Sequence, residues 1–247
     1  MAGLLSDILA AHGGGALLVV AAPAEAGAAL AARGVDAALR DRFWERLPLA
    51  DGLDLVITGV GKSNAAGATA RALDIARDRV VLSLGVGGAL PDSGVRIGQT
   101  VLATKSLFAD EGIETDEGFR SSEALGFPAR LGAGGVVGDR MGAAGDAGLL
   151  TALRPISDRE AVVATVSTCA GTDARAMAVV ARTGAAAEAM EGAAVGVAAA
   201  NCAAAAGAPA PAFLEIRVIS NTTGDRARQR WDLAGALAGV GRVCAAL

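Results

Sequence analysis

Residues Val80-Val81-Leu82-Ser83-Leu84 run straight into Gly85-Val86-Gly87-Gly88-Ala89-Leu90. A short β-branched and aliphatic run without polar alternation predicts a strand buried on both faces, as in a mostly parallel sheet covered by helices. The glycines at its exit suit a tight turn with positive φ or the close approach of a ligand, and both readings stand. The cluster begins like a dinucleotide fingerprint. Its third glycine position is Leu90, however, and no acidic residue follows at the right distance after a second strand, so that reading is set aside.

Working outward, the same alternation repeats. Upstream, Ala16 to Ala22 and Leu53 to Gly59 read as strands, each followed by an alanine-rich helical stretch, Glu25 to Arg33 and Asn64 to Arg77. Downstream, Thr100 to Lys105, Val162 to Ser167 and Phe213 to Ser220 read as strands. Asp173 to Thr183, Gly192 to Ala206 and Trp231 to Leu247 read as helices. Phe108 to Pro128 is polar and irregular, and Gly132 to Gly138 is expected to hold little regular structure. Strands alternating with helices predict a three-layer α/β/α sandwich around a central mixed, mostly parallel sheet. No linker or repeat breaks the 247 residues, which are expected to form one domain, 1–247.

Composition narrows the function. The chain is 53% apolar and 19% charged, which excludes a disordered chain. A net charge of −4 with only two lysines, Lys62 and Lys105, argues against a nucleic-acid surface. The one long apolar stretch, Gly192 to Phe213, is mostly alanine and is interrupted by Asn201, Pro209 and Pro211, so no membrane span is expected. Cys169, Cys202 and Cys244 are too scattered for a disulfide framework or a zinc site, and the N-terminus carries no secretory pattern, so a cytoplasmic location is expected. No metal or cofactor is implied.

Two familiar chemistries fail on spacing. Gly61-Lys62-Ser63 ends like a phosphate-binding loop, but the glycine needed five residues before Gly61 is Val56, inside a strand. His12 is the only histidine and precedes Gly13-Gly14-Gly15, a loop-like setting that does not hold an imidazole for a Ser-His-Asp or Cys-His mechanism.

Four segments together resemble one family. They are Thr58-Gly59-Val60-Gly61-Lys62-Ser63-Asn64-Ala65-Ala66, the Gly85 to Leu90 cluster, Glu188-Ala189-Met190-Glu191-Gly192-Ala193-Ala194, and Arg217-Val218-Ile219-Ser220-Asn221. They resemble the purine nucleoside hydrolases and phosphorylases of the nucleoside phosphorylase fold, including the methylthioadenosine/S-adenosylhomocysteine nucleosidases. Within that family, Glu215 to Asn221 with Gly224-Asp225-Arg226 and Trp231-Asp232, and Asp110 to Thr115 with Gly118-Phe119, are similar to the futalosine hydrolases of menaquinone biosynthesis. The resemblance implies a nucleosidase that releases hypoxanthine from a small nucleoside, acts without a cofactor and assembles as a homo-oligomer.

Cleavage of a purine N-glycosidic bond passes through an oxocarbenium-like sugar, as in glycoside hydrolysis. The sugar hydroxyls must be held, a water placed, and the departing base stabilised. The resemblance assigns these tasks to Glu191, Glu25 and Asn221, with Met190 against the sugar. It implies further substrate contacts at Gly85, Val86, Gly87, Thr168, Phe119 and Arg226. Each key residue also has a plain reading: Glu191 and Glu25 as acids at helix starts, Asn221 as a turn residue, and Phe108 and Phe119 as core aromatics. Arg226, Arg228 and Arg230 form a basic cluster that either meets a substrate carboxylate or faces solvent. Where adenine-cleaving relatives carry Asp, Asn221 can donate to a 6-oxo group and accept from a protonated N7, which points to hypoxanthine or guanine. At the turn position where phosphorylases carry a hydroxyl this chain has Val86, and no arginine lies between Ala16 and Leu30, which favours water over phosphate as nucleophile.

Overall fold

The computed structural model describes residues 4–127 and 142–247. The expectation for Gly132 to Gly138 therefore lies outside the described residues. In chain order the elements are α1 (Leu4–His12), β1 (Gly15–Val20), α2 (Pro23–Ala32), β2 (Arg46–Ala50), β3 (Leu53–Ile57), α3 (Lys62–Ala72), β4 (Asp78–Ala89) and β5 (Thr100–Phe108). They continue with β6 (Gly112–Thr115), β7 (Gly118–Ser121), β8 (Gly142–Ala144), α4 (Ala147–Leu153), β9 (Arg159–Thr165), α5 (Asp173–Thr183), β10 (Ala187–Ala189), α6 (Gly192–Ala205), β11 (Ala212–Thr222) and α7 (Leu233–Ala246).

The main sheet runs β10-β9-β5-β11-β4-β1-β3-β2, with β8 beside β5. Most pairings among the long strands are parallel, and β5 runs antiparallel to β11. Period-two alternation splits the apolar strands between two faces. In β1, Ala16, Leu18 and Val20 pack into one core with α1, α2, α4 and α7, while Leu17 and Val19 pack into another with α3 and α6. This is the expected layering of helix, sheet and helix. One end of the sheet also curls: β10 pairs with β9 and, antiparallel, with β4, which closes β4, β11, β5, β9 and β10 into a ring. At the other end β2 pairs, among the described residues, with β3 alone and carries the exposed Pro48.

Several expectations need correction. The glycine cluster at Gly85 to Gly88 is no turn: it lies inside β4, and none of its glycines has a positive φ. Glycine is required there by space. A β-carbon on Gly85 would collide with Arg217 and Glu25, and one on Gly88 would lie 2.7 Å from the Thr223 side chain. His12 closes a helix, where its Nδ1 contacts the Ile8 carbonyl at 2.9 Å. The irregular 108–128 stretch contains the hairpin β6–β7.

Candidate active site

The ends of β1, β4, β10 and β11 meet around a cavity of about 400 Å³. Glu25 enters it from the first turn of α2. Its Oε2 accepts the N–H groups of Ala22 at 2.9 Å and Ala21 at 3.1 Å, and its Oε1 accepts that of Val86 at 2.8 Å. The helix-start reading and the site reading thus coincide in one carboxylate. Burial pushes its carboxyl above the usual carboxylate range, against the pull of Arg217 and the Val86 and Ala22 N–H groups, and Glu191 adds to the rise.

Glu191 stands at the start of α6, but its side chain does not cap that helix. Its Oε1 accepts the Gly61 N–H at 3.1 Å, its Oε2 accepts the Met190 N–H at 3.3 Å, and Arg217 Nη1 lies 3.4 Å from Oε2. The Gly-Lys-Ser stretch therefore supplies an amide to a carboxylate, while Lys62 itself pairs with Asp110 at 2.5 Å.

Arg217 is 1% exposed and joins the acids together. Its Nε donates to Glu215 at 2.8 Å and its Nη2 to Ser83 Oγ at 3.1 Å. Burial works against its charge, and Glu215, Glu191 and Glu25 outweigh it. Gly192 makes room for Glu215, whose carboxylate occupies the place a β-carbon would take.

On the opposite wall, β11 skips register between Ile219 and Asn221, which leaves Ser220 unpaired with β4. Such a bulge re-aims the next side chain. Asn221 is consequently a strand residue on the cavity wall, where Ser220 Oγ donates to its Oδ1 at 2.8 Å and its Nδ2 donates to the Thr222 carbonyl at 3.0 Å. Arg226 lies over the Trp231 ring at 4.8 Å, and its Nη1 donates to Gln229 Oε1 at 2.8 Å; all three line the cavity.

The structure thus gathers Glu25, Val86, Gly87, Met190, Glu191, Asn221 and Arg226 around one space. Gly85 sits behind that wall, beneath Glu25 and Arg217. Thr168 and Phe119 stand outside it. Thr168 is exposed beside the cavity, and Phe119 lies under the Arg182 guanidinium at 4.1 Å, lining with Phe108 a separate hollow by the hairpin. Of the basic cluster only Arg226 faces the cavity; Arg228 pairs with Asp173 and Asp225. Sequence reasoning missed Cys169, Ala170, Glu188, Gln229 and Trp231 as lining residues and Arg217 as the hub. Arg217 was legible: two opposite charges two residues apart in the otherwise apolar FLEIRVIS strand signal a buried ion pair. Cys169 has its thiol pushed up to about 11 by burial and by Glu188 and Glu191, so it is no ready nucleophile. Among the described residues, no three His, Cys, Asp or Glu side chains are grouped to hold a metal ion.

Comparison with known proteins assigns the chain. Residues 52–244 match the family model of the phosphorylase superfamily. The chain belongs to the phosphorylase superfamily. Within the superfamily it is similar to the futalosine hydrolase of Streptomyces coelicolor, 40% identical over 207 residues that cover 78% of this chain and 76% of that protein. The futalosine hydrolase of Acidothermus cellulolyticus is 35% identical over 197 residues, covering 78% and 74%. In fold, the native futalosine hydrolase of Helicobacter pylori superposes with a TM-score of 0.65 at 19% identity, covering 95% of each chain. The superfamily fold is thus present along nearly the whole chain.

Proposed function

We propose that this protein hydrolyses the N-glycosidic bond of futalosine, releasing hypoxanthine and the dehypoxanthinyl sugar product used in menaquinone biosynthesis. The observation that carries the reading is the pair of buried carboxylates, Glu25 and Glu191, one beside and one paired with the buried Arg217, on the wall of a cavity that Asn221 faces from the other side. The similarity to two futalosine hydrolases at 35–40% identity supports the choice of substrate.

Glu191 accepts hydrogen bonds from the ribose hydroxyls, and Met190 lies against the apolar face of the sugar. The C1′–N9 bond breaks, its electron pair leaves with the purine, and the purine takes up a proton to depart as neutral hypoxanthine, which balances the proton that water gives up. Water adds to C1′ as Glu25 removes its proton, a role that suits a carboxyl raised by burial because a higher pKa makes a stronger base. Asn221 stabilises the departing base through N7 and O6 without burying a charge there. Water rather than phosphate attacks, because the wall beside Glu25 is Val86, and Arg217 is committed to Glu215, Ser83 and Glu191. The same reading places the reaction in the cytoplasm, in an assembly of identical chains. Among the described residues no helix is long and apolar enough to cross a membrane.

The test is base release from futalosine in phosphate-free buffer. Hypoxanthine and free sugar are expected. Strict dependence on phosphate with a sugar 1-phosphate product, or no cleavage, refutes the reading.

A further inference from the structure

Just ahead of β2, Trp44 has a φ of +62°. That left-handed backbone is unfavourable for a bulky residue and persists only where the surroundings enforce it. A second unfavourable choice lies in α3. Gly67 stands inside that helix, where glycine is a poor former, and a β-carbon there would come within 2.6 Å of the Trp44 ring. Together they seat an indole that is still 37% exposed, so burial of the ring alone does not account for them. The hydrogen bonds do. The Trp44 backbone N–H donates to the Ile57 carbonyl at 2.8 Å, and the indole Nε1–H donates to the Thr58 carbonyl at 2.7 Å.

These carbonyls stand where β3 gives way to the loop that enters the active site. Beyond Thr58 the chain passes through Gly59 at φ +86° and Gly61 at φ +97° before α3 begins. Glycine leaves such a backbone wide freedom, so the direction in which the chain leaves β3 decides where Gly61 arrives. On one side, Thr58 and Gly59 donate their N–H groups to the Val20 and Ala21 carbonyls at 2.9 Å. On the other side, Trp44 holds the Thr58 carbonyl. Further along, Asn64 Nδ2 donates to the Val60 carbonyl at 2.9 Å. The product of these ties is the Gly61 N–H, aimed at Glu191 Oε1 from 3.1 Å.

We propose that Trp44 is a positioning residue for Glu191: its indole N–H fixes the Thr58 carbonyl and, through the loop 59–61, the amide that orients the Glu191 carboxylate. The proposal rests on the reading that Glu191 holds the sugar hydroxyls. Trp44 does not line the cavity, and its effect travels through the backbone. A carboxylate aimed in advance meets the sugar in the reactive geometry, and a small displacement that starts far from the chemistry is felt in the rate.

The test follows the Gly61 amide by residue-resolved hydrogen exchange in wild type and Trp44→Phe, which keeps an aromatic ring and removes the N–H. Gly61 should exchange about 2- to 10-fold faster in the variant, the usual worth of one hydrogen bond. A tryptophan that served stability alone would speed only amides that open by global unfolding, such as Leu18 and Leu82 in the central strands, and leave local opening at Gly61 unchanged. The second measurement is a double-mutant cycle on kcat/KM for futalosine. Trp44→Phe should lower it about 2- to 10-fold in wild type. In Glu191→Ala, which has no carboxylate to orient, the same substitution should change it by less than about twofold. If Trp44→Phe does not fold, Gly67→Ala takes its place, because the added methyl group displaces the indole and the same outcomes apply. Unchanged Gly61 exchange in the folded variant, or equal losses of kcat/KM with and without the Glu191 side chain, overturns the proposal. A wild type that does not cleave futalosine refutes the substrate reading instead, and the Gly61 amide still decides for or against Trp44.

Discussion

Removing the charge of Arg217 while keeping a polar side chain there, with Arg217→Gln, should move the acid limb of the pH–rate profile upward. A β-carbon built on Gly85 would fall within 3 Å of both Arg217 Nη1 and Glu25 Oε1, so the two groups are at most about 5 Å apart, where unit charges at an effective dielectric near 20 interact by about 3 kcal/mol or more. Losing that attraction raises the Glu25 carboxyl further. The sign follows from the role of Glu25. It must be ionised to take a proton from water, so activity is present above its pKa and is lost as the pH falls through it. Burial already raises that pKa, and Arg217 is the chief group holding it down. Without the guanidinium, the loss of activity should begin at a correspondingly higher pH. The assay is kcat/KM for hypoxanthine release across the range in which melting shows both proteins folded, because kcat/KM reports groups of the free enzyme. Arg217→Lys keeps a cation beside the acids and should return the limb most of the way. A folded Arg217→Gln protein whose acid limb coincides with that of wild type would refute the electrostatic argument.

Glu25→Gln and Glu191→Gln should each lower kcat about 10²-fold or more while melting near wild type, as read by steady-state kinetics and a thermal scan. Asn221→Asp should lose hypoxanthine release and gain cleavage of the 6-amino counterpart of futalosine, measured as kcat/KM on both substrates. Gly192→Ala places a methyl group in the space of the Glu215 carboxylate and should cost about 1–3 kcal/mol by denaturant titration. It should also lower kcat, because Glu215 anchors Arg217. Far from the cavity, Arg46 bonds Asp78 through both terminal nitrogens at 2.7 and 2.8 Å and Asp54 through Nε at 2.6 Å. Arg46→Ala strands the fully buried Asp78 side chain and should cost about 3 kcal/mol, a fall in Tm of roughly 6–12 °C for a chain of this size, with KM unchanged.

The layers were legible because each long strand is a continuous apolar run and each helix an alanine-rich stretch of the right length. Helix α5 lies where its sequence places it, Asp173–Thr183, since Thr172 caps its start and Gly184 its end. Gly85 to Gly88 misled because glycine signals two different needs. Sequence alone does not separate a left-handed backbone from a place where two side chains lean over the chain, as Arg217 and Glu25 do at Gly85. The short strands β8 and β10 have no periodicity of their own and exist through pairing with distant residues. Glu188 was hidden for that reason: its register with Gly88 and Asn221 is set by ring closure, which no local pattern encodes. Phe119 shows the converse, a residue carried by a resemblance that here rests under Arg182 away from the cavity.

Closing one end of the sheet leaves the strand β2 as the free margin of the other. An unpaired margin is a template on which a second chain can add a strand, and aggregation starts at such places. Here Pro48 stands in the middle of β2 without an N–H to offer, and Arg46 is held by Asp54 and Asp78. The margin is therefore blunted by covalent structure and does not rely on a flexible cover. Copies of this chain are thereby discouraged from joining edge to edge through β2 even when crowded together.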